Sequence, residues 1–294
     1  MSTIKPKKLE VGDTIAIIAP SGGIKDDTDL IRAERYFEKL GYKIKTGKNL
    51  LKNRNYLAGT DEERLEDLHE QFADKEVNAI ICLRGGYGAI RLIKNIDYDL
   101  IKSNPKIFAG YSDITALSAM FLKKAGLITY SSPMIQNDFG AEVQNEFTIN
   151  SFFKAVNDEE QKCFATKVYS SGNANGITFG GNLSTIVSLC GIDFIPDKKF
   201  IFFAEDIGEP VYKLDKMFTQ LLNIEKFSEN LSGIVFGEFT GIDNEKYLSD
   251  LFNDIASCVN VPVIGGIKIS HNTEKLTVPY GSKSAIHENY FIFW

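Results

Sequence analysis

The chain has 294 residues, long enough for two domains of ordinary size, and its apolar fraction of 44% excludes a disordered protein. With 33 Lys and Arg against 39 Asp and Glu, the formal charge of -6 and the lack of a dense basic cluster argue against a nucleic-acid partner. Apolar runs are strand-sized and the polar start Met1-Ser2-Thr3-Ile4-Lys5-Pro6-Lys7-Lys8 lacks a signal-peptide core, so a cytoplasmic protein with no membrane partner is expected.

The first apolar run, Thr14 to Ala19, suits a strand buried on both faces of a parallel sheet, and Pro20-Ser21-Gly22-Gly23 ends it. Leu30, Ala33, Phe37 and Leu40 recur at helical spacing, and Gly41 follows as a stop. Tyr42 to Thr46 alternates as a shorter strand. Thr60-Asp61-Glu62-Glu63 then has the spacing of a capping box before a helix carrying Leu65, Leu68 and Phe72. Ala79 to Leu83 is another buried strand, running into Arg84-Gly85-Gly86-Tyr87-Gly88. Ile107 to Ala109 follows, with a helix from Ile114 to Phe121, a strand Leu127 to Tyr130, and Ser131-Ser132-Pro133-Met134. Alternation of this kind predicts a doubly wound α/β domain with ligands beyond the carboxyl ends of its strands.

A helix is expected from about Glu142 to Val156, and Asn157 to Asn175 is polar without a clear period, so the domain boundary is placed there: 1–160 and 161–294. The second half reads as mixed β/α: a glycine turn at Gly180-Gly181, a helix Leu183 to Cys190, a strand Phe200 to Ala204, and a helix over Leu214, Met217, Phe218 and Leu221. A strand Gly233 to Phe236, a helix Tyr247 to Ala256, and strands at Val261 to Ile264, Thr277-Val278 and Tyr290 to Trp294 complete it.

Cys82, Cys163, Cys190 and Cys258 lack paired spacing and read as reduced and structural, while His69, His271 and His287 form no ligand pair, so no metal site is indicated. His69 and His287 read as structural.

Gly110-Tyr111-Ser112-Asp113-Ile114 places Ser112 at a strand-to-helix turn, where a hydroxyl is exposed and the following N–H groups are free: a nucleophile elbow without its second glycine. Ser112 or Asp113 as a plain helix cap is the competing reading. Arg84-Gly85-Gly86-Tyr87-Gly88 presents backbone N–H groups as an oxyanion hole, a phosphate cradle or a simple tight turn. Glu205-Asp206 follows an apolar strand and His271 lies in a loop after another; a solvated acid and a surface histidine are the plain alternatives. Together they supply the parts for acyl transfer: Ser112 attacks, His271 takes its proton, Glu205 orients the imidazole, and the N–H groups of Gly86 and Asp113 receive the oxyanion.

The motifs Ile18 to Gly22, Ala58 to Leu68, Arg84 to Gly88, Gly110 to Ala116, Gly180-Gly181-Asn182-Leu183, Glu205 to Glu209, His271 and Val278-Pro279-Tyr280-Gly281 resemble the LD-carboxypeptidases, in order and over nearly the whole chain. The resemblance implies a Ser112, Glu205, His271 triad, oxyanion donors at Gly86 and Asp113, and a glutamine-amidotransferase-like N-terminal domain. It also implies a mixed C-terminal domain, no cofactor, a homodimer, and release of D-alanine from murein tetrapeptide during wall recycling. Arg84, Gly85, Ser132 and Asn182 are candidate substrate contacts. Ser132 stands where relatives often carry glycine. The related microcin-immunity peptidases, which cleave aminoacyl-nucleotide conjugates, share the triad. A non-catalytic phosphate- or peptide-binding α/β module is the third reading.

Overall fold

The computed structural model describes residues 3–294; Met1 and Ser2 of the polar N-terminal stretch lie outside the described residues. In the first half, β1 (Thr14–Ile18), α1 (Thr28–Lys39), β2 (Lys43–Thr46), α2 (Asp61–Ala73), β3 (Val77–Cys82), α3 (Tyr98–Ser103), β4 (Ile107–Ala109), α4 (Thr115–Met120), β5 (Thr129–Ser131) and α5 (Glu146–Val156) alternate. The strands run parallel in the spatial order β5-β4-β3-β1-β2. All residues of β1, β4 and β5 are buried, and β1 and β4 accordingly stand out in the sequence as apolar runs. The chain reverses its direction of travel between β1 and β3, and the loops that follow β1, β3 and β4 crowd the crevice beyond their carboxyl ends.

The capping box of α2 forms as its spacing predicts. Thr60 Oγ1 accepts from Glu63 N at 3.2 Å and Glu63 Oε2 accepts from Thr60 N at 2.8 Å. Such a cap contributes about 1 kcal/mol.

The second half contains β6 (Gln161–Phe164), β7 (Lys167–Ser170), β8 (Asn173–Asn182), α6 (Leu183–Ser188), β9 (Phe200–Ile207), α7 (Val211–Leu222) and α8 (Glu225–Asn230). It continues through β10 (Leu231–Thr240), α9 (Glu245–Cys258), β11 (Val263–Gly265), β12 (Val278–Tyr280), β13 (Lys283–His287) and β14 (Tyr290–Phe293). An eight-stranded sheet has the order β6-β14-β13-β8-β9-β10-β11-β7, parallel from β8 to β11 and antiparallel on both flanks. Its two edges are consecutive in sequence. Ala165 N donates to Asn289 O at 2.8 Å and Thr166 N donates to Gly265 O at 3.0 Å, so one bent strand passes from edge to edge and the sheet closes on itself. Closure removes the exposed edges that an open sheet must otherwise protect.

Three expectations change. Residues 157–175, read as a stretch without pattern, supply β6, β7 and the start of β8. Gly180-Gly181, read as a turn, lies inside β8. Val278–Tyr280 belongs to the first sheet, where β12 pairs antiparallel with β5 and makes it six-stranded. The second half therefore reaches back into the first. An apolar core runs continuously from the α2 and α4 face of the first sheet into the closed sheet, and a second core fills the α1 and α5 face. Among the described residues no helix is long and apolar enough to cross a membrane.

Candidate active site

Ser112 occupies the turn between β4 and a short 3-10 segment, Ser112–Ile114, that leads into α4. Its φ is +61°, a left-handed conformation that costs a non-glycine residue on the order of 1 kcal/mol or more. Asp113 holds the turn in place. Its buried carboxylate accepts from Ser21 Oγ and, at 2.8 Å, from Ala89 N, fastening the loops after β1 and β3 to the elbow. Burial raises the Asp113 carboxyl above its ordinary value of 3.8, against the pull of the Ser21 hydroxyl, the Ala89 N–H and Arg64. Arg64 adds a second fastener, donating to Pro20 O at 2.6 Å and Gly88 O at 2.9 Å.

The glycine loop comes within contact distance of the elbow. A Cβ on Gly85 would lie 2.9 Å from Ser112 Cβ and 3.1 Å from its Oγ, so no larger residue fits there. Gly86 adopts φ +111°, a backbone that L side chains rarely take. Arg84 Nη1 donates to Gly23 O at 3.2 Å and so braces the loop after β1.

Glu205 and His271 come together from distant parts of the second half. Glu205 Oε2 and His271 Nδ1 are 2.6 Å apart, and the Glu205 carboxylate is only 4% exposed. Alternation along β9 sends the next acid elsewhere. Asp206 accepts from Ser184 N at 2.8 Å, Ile207 N at 2.8 Å and Asn182 Nδ2 at 3.0 Å, a structural set at the start of α6. Asn182 is the α6 cap, its side-chain oxygen accepting from Thr185 N at 3.1 Å. Both ends of that amide are thus engaged within the protein.

Tyr111 joins the two groups. It precedes Ser112, and its ring meets the His271 ring edge-on with centroids 4.9 Å apart. Ser112 and His271 do not share a hydrogen bond in this structure, and the ring of Tyr111, the residue before Ser112, is what meets His271. A small pocket opens here, lined by Tyr111, Ser131, Ser132, Glu205, Ser270 and Lys275. Ser132 is buried and donates to Pro133 O at 3.2 Å.

The family model of the LD-carboxypeptidase N-terminal domain matches residues 15–132, and that of the LD-carboxypeptidase C-terminal domain matches residues 175–286. The chain belongs to the LD-carboxypeptidase family. It is accordingly a peptidase of the carboxypeptidase class. The probable murein peptide carboxypeptidase of Bacillus subtilis (strain 168) is 37% identical over 293 residues, covering 96% of this chain and 91% of that protein. The muramoyltetrapeptide carboxypeptidase of Oxalobacter formigenes superposes with a TM-score of 0.88 at 29% identity, covering 95% of this chain and 98% of that one. An MccF-like protein of Bacillus anthracis str. Ames superposes with a TM-score of 0.90 at 27% identity, covering 99% of each chain.

This LD-carboxypeptidase family member also has a buried charge pair that no motif announced. Lys275 Nζ pairs with Asp138 and donates to Tyr111 OH at 3.2 Å, and the Lys275 and Asp138 side chains are 5% and 2% exposed. Burial raises the Asp138 carboxyl above its ordinary value of 3.8, with the Lys275 charge opposing. The Tyr111 hydroxyl is pushed well above its usual range by burial first, then by Asp138 and Glu205. Among the described residues no group of three His, Cys, Asp or Glu is placed to hold a metal ion.

Proposed function

We propose that this chain is a serine carboxypeptidase that hydrolyses the L,D-peptide bond of a murein tetrapeptide and releases its terminal D-alanine. The observation that carries the reading is the 2.6 Å Glu205–His271 pair, contributed by the second half and seated against the residue that precedes Ser112 in the first. In the proposed cycle Ser112 Oγ attacks the scissile carbonyl while His271 Nε2 accepts its proton. Glu205 fixes Nδ1–H and offsets the imidazolium charge. The N–H groups of Asp113 and Gly86 receive the oxyanion, and His271 returns the proton to the departing D-alanine amine. Water then repeats the sequence on the acyl-enzyme. Hydrogen bonds of the Ser–His kind commonly tighten only as substrate docks, which fits the contact made here through Tyr111.

The nucleophile lies in a domain of residues 1–160, and the acid and base in a domain of residues 161–294. Arg84, Gly85 and Ser132 contact the substrate, whereas Asn182, the fourth candidate contact, has its amide engaged by Asp206 and Thr185 at the start of α6 and serves there as a structural cap. The protein works in the cytoplasm as a homodimer on wall-recycling peptides. Incubating wild type and Ser112→Ala with murein tetrapeptide tests the reading: D-alanine release by wild type alone supports it, and equal release by both rejects it. The likeness to the MccF-like protein favours a second reading, cleavage of aminoacyl-nucleotide conjugates by the same triad. Side-by-side kcat/KM values on tetrapeptide and on an aminoacyl sulfamoyl adenylate decide between them.

A further inference from the structure

The segment that carries His271 is attached mainly to the half that carries Ser112. Thr148 Oγ1, on α5, donates to Thr273 O at 2.8 Å and accepts from Lys275 N at 2.8 Å. Ser151 Oγ, one turn further along α5, accepts from Thr277 N at 2.9 Å. The Lys275 ammonium is buried against Asp138 and Tyr111, and the segment ends as β12 on the first sheet. On the second half the segment is held by the His271–Glu205 pair itself, by Glu238 N donating to Ile269 O at 2.9 Å, and at the surface by Asn272 Nδ2 donating to Glu238 Oε2 at 2.7 Å. Buried polar contacts specify one arrangement, because each becomes unfavourable once its partner moves away.

We propose that Thr148, Ser151, Asp138 and Lys275 are positioning residues that clamp the His271 segment onto the nucleophile-bearing half. This inference rests on the reading of Ser112 as nucleophile and His271 as base. The clamp sets the distance between base and serine locally, so that small shifts between the two sheets do not separate them. Tyr111 belongs to the same device, since its hydroxyl meets Lys275 while its ring edge meets His271. An error of about 1 Å in such a geometry costs roughly a hundredfold in rate.

Lys275→Met strands the buried Asp138 charge and can fail to fold, so the decisive variants are at Thr148, whose hydroxyl bonds Thr273 O and Lys275 N and neither Ser112 nor His271. In full-length protein, Thr148→Val keeps the shape and removes both hydrogen bonds. Thr148→Ser keeps the hydroxyl. For Thr148→Val the clamp predicts a fall in kcat of about ten- to a hundredfold with KM within about threefold of wild type. It also predicts hydrogen exchange at residues 270–277 that is at least about tenfold faster. Thr148→Ser restores both to within about threefold of wild type. Wild-type exchange in Thr148→Val overturns the clamp, as does faster exchange with an unchanged kcat. Full turnover by Ser112→Ala is a separate failure: it removes the nucleophile reading, and the positioning role with it, whatever the exchange shows.

Discussion

Replacing Glu205 by Gln changes the charge beside His271 and almost nothing else about its shape. The carboxylate sits 2.6 Å from Nδ1 and is buried, so solvent screens it weakly. With about 4 Å between charge centres and an effective dielectric near 20, the attraction between carboxylate and imidazolium is about 4 kcal/mol. In the proposed cycle an imidazolium forms as Ser112 attacks, so the loss falls on the transition state. About 4 kcal/mol corresponds to about three powers of ten in kcat. The amide also competes to stabilise the wrong imidazole tautomer, which in a comparable triad brings the loss to about four powers of ten. The assay is D-alanine release from tetrapeptide under saturating substrate, with thermal melting to confirm that the variant is folded. A folded Glu205→Gln enzyme within tenfold of wild-type kcat would refute the reasoning.

Three further outcomes are expected. Ser112→Gly removes activity yet raises stability by up to about 1 kcal/mol, because glycine adopts φ +61° without strain; a melting temperature at or below that of wild type contradicts this. Gly85→Ala drives a methyl group to within 2.9 Å of Ser112 Cβ and should lower kcat about a hundredfold; retention of activity within threefold would show that the loop yields freely. Burial raises Asp113 above 3.8, so the folded chain holds that proton more tightly than the unfolded one. Its contribution to stability is then complete below pH 3.8 and is lost as pH rises through the folded value. Asp113→Asn, which cannot titrate, should therefore lose less stability than wild type across that window in urea titrations; parallel curves would contradict the sign.

Elements with local signals were legible in the sequence. Thr60 and Glu63 capped α2 as their spacing required, and the strands buried on both faces appeared as apolar runs. Ser112 and His271 stood out because each comes after a strand, and Glu205 because it ends an apolar run, although the structure carries β9 on through it to Ile207. What escaped notice depends on distant partners. The exposed residues of β6 and β7 become strand only because the closing sheet supplies β14 and β11 on either side. Gly180-Gly181 carry φ angles of +145° and +111° inside a strand and must be glycine there, because a Cβ on Gly180 would meet Phe203 O and one on Gly181 would meet the Thr115 side chain at 2.8 Å. Lys275 and Asp138 are 137 positions apart, and nothing local in Thr273-Glu274-Lys275-Leu276 distinguishes a buried lysine from a solvated one.

Capture of the acyl-enzyme tests the central claim most directly. Wild-type protein mixed with tetrapeptide, quenched in acid on the millisecond scale and digested for mass spectrometry, should carry the des-alanyl peptide as an ester on Ser112, and Ser112→Ala should carry none and release no D-alanine. An adduct on another residue, or undiminished turnover by Ser112→Ala, would contradict the account.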